Sequence, residues 1–337
     1  MLPEKTSQEI SREAIRKAAI RAARQSPGQT KKGPKPGMLT LPTEATSKGW
    51  HHLEPFTICP KEFQLKRVRG IRLRGVFMPE PLAIGLIVHA GHAQWLHDGY
   101  QGELWRGQMV KYLADLERRN RITSVCLPLA TRCMEGYVKH WSVRPRPQVL
   151  AVEHELGPKP LIKGAPEWTW RSARLDSIVS WRKQTWIKEL KTTSSTAGRV
   201  RNLYMLHGQP LLQVALWGEE ETARFGPLAG VLLDSILKPS GRREARGTDL
   251  QPLPIAQMQV ALKWFRNDFT LWVMQSSAIV WNSQVERRPV CVRAQSACDF
   301  RAMCLRGRAG SNSYVFEDGS PVSAWAPSPG KEVPPWE

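Results

Sequence analysis

Three residues in one short region have types and spacing that could do chemistry. Asp176 lies in "RLDSIV", flanked by apolar residues, and Glu189 and Lys191 lie in "TWIKELKTT". Side chains two apart on a strand project from one face. Glu189 and Lys191 are therefore neighbours if this run is a strand, and Lys188 projects to the other side. The segment carrying Asp176 is separated from it by only the short "RKQ" connection, so the two should form an antiparallel hairpin. That pairing brings Asp176 near Glu189. Two carboxylates offer hard oxygen ligands for Mg²⁺. A bound metal could hold a phosphate oxygen and activate a water. A lysine beside it could orient or deprotonate that water and offset transition-state charge. The plain alternative is a solvated Glu–Lys pair worth less than about 1 kcal/mol.

The elements that must position these residues alternate in period. Helical patterns run from Pro81 to about Asp98, through "ELWRGQMVKYLADLERR" and through "LATRCMEGYVKHW". An earlier helical segment ends at Gly70. Strand patterns follow in "QVLAVEHELG", "TWRSARLDSIVSW" and "QTWIKELKTT". A helix is expected over "GQPLLQVALWGEEE", a strand over "LAGVLLDSIL", and a long helix from "PIAQMQV" to "SSAIV". This is a mixed α/β order. Core packing is the expected use of Trp95 and Trp217, with stacking on an unpaired base as the alternative.

Charge narrows the class of partner. The 337 residues carry 49 Lys and Arg against 30 Asp and Glu, a net of +19. Residues 1–37 contribute nine basic and three acidic residues, so the remainder still carries +13. Such an excess favours polyanions through counterion release. "KPSGRREARG", net +3 over residues 238–246, is a plausible phosphate-contacting loop. No apolar run approaches the roughly 20 residues of a membrane span. The N-terminus lacks an apolar signal region, which gives a cytoplasmic expectation. There is no G-x-x-x-x-G-K-[ST] phosphate loop, so ATP-driven unwinding would need a separate protein.

Taken in order, "LEPFTICPKEFQLKRVRG", "GLIVH", "LDSI", "KELKT" and "QVALW" resemble the PD-(D/E)XK nuclease superfamily. The likeness is to its RecB-like branch, which includes the nuclease domain of AddB, CRISPR-associated adaptation nucleases and phage exonucleases. It covers about residues 47–306. The resemblance implies a restriction-endonuclease-like core, a mixed central sheet flanked by helices with an N-terminal helical region. It makes Asp176 and Glu189 ligands of Mg²⁺ or Mn²⁺, with His89 a third, and Lys191 the catalytic lysine. Gln213 becomes a DNA-positioning residue. Trp217 stands where that family's pattern has tyrosine, which loses a phenol.

The cysteines extend the resemblance. Cys291, Cys298 and Cys304 follow a C-x₆-C-x₅-C spacing that fits zinc knuckles poorly. With Cys59 far upstream, they are similar to the four thiolates that hold a [4Fe–4S] cluster in several RecB-like nucleases. Such a cluster would tie the C-terminal segment to the first helix; zinc is the second metal option. The implied organisation is a basic tail at 1–46, a nuclease domain at 47–306 and a Gly/Ser/Pro-rich tail at 307–337. The implied activity is metal-dependent DNA cleavage of exonuclease type in DNA processing, repair or recombination, in a bacterial or phage-infected cytoplasm. DNA is the expected partner, with a separate helicase or recombination protein. The rivals are a catalytically silent nuclease-fold DNA-binding protein and a zinc-bound RNA-binding module.

Overall fold

The computed structural model describes residues 78–118, 126–161, 164, 167, 170–205, 207–240 and 244–281, with short pieces at 38–39, 41, 49–50, 54, 59, 71–73, 292–293, 296–297 and 314–316. The chain divides into two compact units. One comprises residues 1–44, 77–155 and 174–259; the other comprises 45–76, 156–173 and 260–337. In the second unit β1 (Ile71–Leu73) pairs antiparallel with β10 (Tyr314–Phe316), and β8 (Val292–Arg293) pairs with β9 (Ser296–Ala297).

An open sheet, most of whose residues belong to the first unit, has β2 (Gln148–Lys159), β3 (Arg171–Trp181), β4 (Gln184–Thr193), β5 (Leu228–Leu237) and β6 (Arg246–Gly247) in that spatial order. β3 and β4 form the expected hairpin. Its two turn residues, Arg182 and Lys183, both have positive φ, 52° and 62°, the twist a two-residue hairpin requires. β4 and β5 run parallel. On β5, β6 pairs with Ile236 and Leu237 while β7 (Gln251–Pro254) pairs with Gly230 to Leu233. They are two pieces of one antiparallel edge, bridged by the Thr248 N–H to the Ser235 carbonyl at 2.9 Å. β5 is covered on both faces and accordingly reads as a continuous apolar run; Val231, Leu232, Leu233 and Ile236 are fully buried.

Helices flank the sheet. α1 (Glu80–His97), α2 (Leu104–Arg118) and α3 (Leu127–Ser142) form a layer against one face. Ile84, Ile87, Val88, Trp105, Met109 and Leu116 there pack with Leu190 of β4 and Ile236 of β5. α1 is buried on nearly every side, as apolar residues spread all round the helix require. Trp95, 1% exposed, belongs to this core and sets its ring edge-on to Tyr100 and Tyr137. Trp95 therefore packs in the core, the use expected of it, and not as a base-stacking platform. α4 (Ala197–Met205) and α5 (Gly208–Leu216) supply the side chains that meet the opposite face of β4.

The single helix expected over "GQPLLQVALWGEEE" is two. α5 ends at Leu216, and α6 (Glu219–Phe225) starts afresh after Trp217 and Gly218. Three glutamates in the first turn of α6 suit a helix N-terminus, and Glu221 Oε2 accepts the Gly218 N–H at 2.9 Å. α7 (Ile255–Trp281) is the long helix expected.

The fold expectation needs one correction. A mixed α/β fold with an open sheet flanked by helices is present, but the restriction-endonuclease-like description with a four-cysteine tie is not supported. Among the described residues no group of three or more His, Cys, Asp or Glu side chains could hold a metal ion. Cys59, Cys126 and Cys133 are free thiols. Cys126 and Cys133 are buried in the α1–α3 core, where thiols pack as small hydrophobes. Cys291, Cys298 and Cys304 lie outside the described residues, as do nearly all of the first helical segment and both tails.

Candidate functional site

The β3–β4 ladder runs from the Trp181–Gln184 pair at the turn to the Ser177–Lys188 pair. Beyond it the Leu190 N–H bonds to Asp176 Oδ2 at 2.8 Å, so a side chain takes the place of a ladder carbonyl. Asp176 is thus fixed where the hairpin opens. Its other oxygen faces His89 Nδ1 of α1 at 3.3 Å.

Glu189 points to the opposite face from Lys188 and is only 1% exposed. A carboxylate so buried needs partners, and three donors serve it. Lys191 Nζ and Gln209 Nε2 reach Oε1, each at 2.7 Å, and Gln213 Nε2 reaches Oε2 at 2.9 Å. Gln209 and Gln213 are four apart on α5 and so share a face. His207 caps that helix, its Nδ1 accepting the Gln209 N–H at 3.3 Å. Lys191 is half-buried, 3.4 Å from Gln209 Oε1, and its Nζ lies 4.9 Å from the centre of the Tyr204 ring. That is cation–π range. A phenol ring therefore enters the site from α4, although Trp217 replaces the tyrosine of the resembled pattern. Trp217 itself is half-buried and lies against Phe225, ring centres 6.1 Å apart.

The charges of the site tune one another. Burial opposes ionisation of Asp176, but His89, Lys191 and the Leu190 N–H together outweigh it and hold the carboxyl well below its usual range. Burial likewise opposes a charged His89, and the facing Asp176 overcomes this and raises the imidazole. Glu153 of β2 behaves oppositely. Burial, the Asp176 charge and the Glu189 charge push it up to about 7, against the pull of His89 and Arg174. Burial and the two carboxylates keep the Tyr204 phenol protonated far above its ordinary range.

The hairpin thus brings together Asp176, Glu189, Lys191, His89 and Gln213, but not as expected. Gln213 is 1% exposed and holds Glu189. The expected His89–Asp176–Glu189 metal centre is corrected. His89 is turned onto Asp176, and both oxygens of Glu189 are taken by Lys191, Gln209 and Gln213. As the side chains stand, no metal-holding group of three forms among the described residues. The Mg²⁺ or Mn²⁺ and [4Fe–4S] cofactors are corrected with it. Sequence reasoning missed Glu153, Tyr204 and Gln209. Only Gln209 left a signal, its four-residue spacing from Gln213.

Lys188 projects to the other face as expected, where it is 1% exposed, with Nζ 2.9 Å from Asp234 Oδ2, 2.9 Å from the Tyr137 hydroxyl and 3.1 Å from His92 Nε2. The Tyr137 hydroxyl donates to Asp234 Oδ2 at 2.5 Å. Burial, reinforced by the Lys188 ammonium, lowers the His92 pKa well below its ordinary value and keeps that ring neutral. This quartet joins α1, α3, β4 and β5 directly behind Glu189. No helix among the described residues is long and apolar enough to cross a membrane. Compared with known proteins, the chain matches no family model and no curated protein.

Proposed function

We propose that the chain is a DNA nuclease of exonuclease type that hydrolyses phosphodiester bonds, as the resemblance to RecB-like PD-(D/E)XK nucleases implies. The observation that carries this reading is the convergence of Asp176, Glu189 and Lys191 where the β3–β4 ladder opens. The net charge of +19 supports a polyanionic substrate. In this reading Lys191 places an ammonium against a phosphate oxygen and offsets the charge that develops there. Asp176, ionised throughout the physiological range, orients the attacking water. Gln209 and Gln213 fix Glu189, and Glu189 fixes Lys191. Water oxygen bonds to phosphorus as the bridging P–O bond breaks, leaving one phosphate end and one hydroxyl end. A separate helicase or recombination protein would supply unwound DNA, in the cytoplasm of a bacterium or a phage-infected cell.

The complete set of hydrogen bonds on Glu189 favours one alternative, a protein that binds DNA without cutting it. End-labelled single- and double-stranded DNA, incubated with the parent and with Lys191→Ala in buffers with and without added magnesium, separates the two. The nuclease reading expects cleavage by the parent, and folding and DNA binding without cleavage by Lys191→Ala. Equal cleavage by both removes Lys191 from the chemistry. Binding without cleavage by either supports the alternative.

A further inference from the structure

An open cleft of about 860 Å³ lies between the last turns of α3 and the segment entering β6. Its lining includes Lys139, His140, Arg144, Ala245 and Arg246, none of them part of the Glu189 site. Its two walls are locked together. A Cβ on Gly136 of α3 would lie 1.9 Å from the Ala245 carbonyl oxygen, and one on Gly247 would lie 2.9 Å from the His140 ring. Only glycine permits so close an approach of backbone to helix. The cleft is therefore preformed and does not need to be ordered by a ligand.

Its charge comes from three cations on those fixed walls. Burial and the neighbouring Arg144 lower the His140 pKa, against Asp234 and Asp249, so the ring contributes little. Lys139, Arg144 and Arg246 are all exposed. Their counter-charges are loose. Lys139 Nζ is 3.9 Å from Glu244 Oε2, and Arg144 Nε is 3.4 Å from Asp249 Oδ1, with those carboxylates 87% and 79% exposed. Such screened pairs contribute little, and their cations can exchange partners for a phosphate at small cost. From the segment entering β6 the lining residues are Glu244, Ala245 and Arg246.

We propose that this cleft binds the sugar–phosphate backbone of DNA, holding the polymer through Lys139, Arg144 and Arg246 at a surface separate from the Glu189 site. The choice of DNA rests on the nuclease reading; the preference for a repeating phosphate rests on the cleft. Contacts of this kind position a strand without reading its sequence.

The test measures fluorescence anisotropy of a labelled DNA of about 30 nucleotides, single- and double-stranded, across salt concentrations. Full-length Lys191→Ala serves as the parent so that no substrate is consumed. Adding Arg144→Glu and Arg246→Glu should weaken binding at least about tenfold near roughly 100 mM salt. The slope of log K against log salt should shrink by about 1.4 to 1.8, the value of two lost phosphate contacts. The same charge change at Arg118→Glu and Arg224→Glu, outside the cleft, should weaken binding less than about threefold. Lys139→Glu alone, at a side chain 82% exposed, supplies a second variant if the pair folds poorly, and should lower the slope by about half as much. Equal losses from the two double variants, an unchanged slope, or a parent that does not bind DNA would overturn the proposal. Cleavage by the native chain is scored separately: binding through the cleft without cutting removes the nuclease reading alone, and cutting with unchanged binding in the cleft variants removes the cleft alone.

Discussion

Removing the Lys188 ammonium should be among the most damaging single changes to this fold, and removing its partner as well should undo most of the damage. Lys188→Met keeps an unbranched side chain, one atom shorter, and takes away the charge. Asp234 is 0% exposed, its Oδ1 has no hydrogen-bond partner, and its Oδ2 would retain only the Tyr137 hydroxyl. Stranding one member of a buried pair costs about 3–5 kcal/mol, roughly a fifth or more of the stability of an ordinary domain. In Lys188→Met/Asp234→Leu neither charge of this pair remains to be stranded. What is lost is the pairing of the Tyr137 hydroxyl, which retains His92 Nε2 at 3.3 Å, at a cost of about 1–3 kcal/mol. The double variant should therefore be more stable than either single one. Urea unfolding followed by tryptophan fluorescence measures this, with comparison confined to variants of unchanged slope against denaturant. A Lys188→Met cost below about 1 kcal/mol, or a double variant as unstable as the two singles added, would refute the assignment of a desolvated pair.

Other outcomes follow from the site and the cleft. Gln213→Leu leaves Glu189 Oε2 without its donor, so stability should fall by about 1.5–3 kcal/mol and cleavage with it; denaturation and the end-labelled DNA assay read the two effects. Glu153 is raised in the folded chain, so it destabilises as pH climbs from about 4.3 through about 7. Glu153→Gln should accordingly raise the melting temperature at about pH 8 and leave it nearly unchanged at about pH 4. His89 is also raised, and its stabilising contribution is complete below about pH 6.5 and lost as pH rises through the folded value. That of Asp176 is complete above about pH 3.9 and lost as pH falls through its depressed value. Melting curves of Asp176→Asn should therefore converge on the parent only in strong acid. Gly136→Ala forces a methyl onto the Ala245 carbonyl and should cost about 1–3 kcal/mol, read by the same melts.

Local pattern made much of the architecture legible. The alternation in "QTWIKELKTT" and the short connection before it specified a hairpin, because strand side chains alternate and two-residue turns admit one twist. The period of "ELWRGQMVKYLADLERR" specified a helix for the same kind of reason. The division of Glu189 and Lys191 from Lys188 was equally available, since it needs only the strand's period of two. The break at Trp217–Gly218 was less so, because the apolar stripe of α5 ran visually into the glutamates that start α6.

What the alternation could not say was what waited on each face. Lys188 reads only as a residue on the other face until α1 and α3 are laid over the sheet, bringing His92 and Tyr137 to it, while the parallel neighbour β5 brings Asp234. Glu189 reads as a metal ligand until Gln209 and Gln213 descend from α5 and occupy it with Lys191. The sequence by itself determined which residues share a strand face and that the chain is strongly cationic, since both follow from bond geometry and counting. Only the tertiary structure decided which charges are buried, which are paired and which line a cleft, since burial and pairing depend on elements far apart in the chain. Gly136 and Ala245 show this at its simplest: neither is notable in the chain, and their contact sets the walls of the cleft.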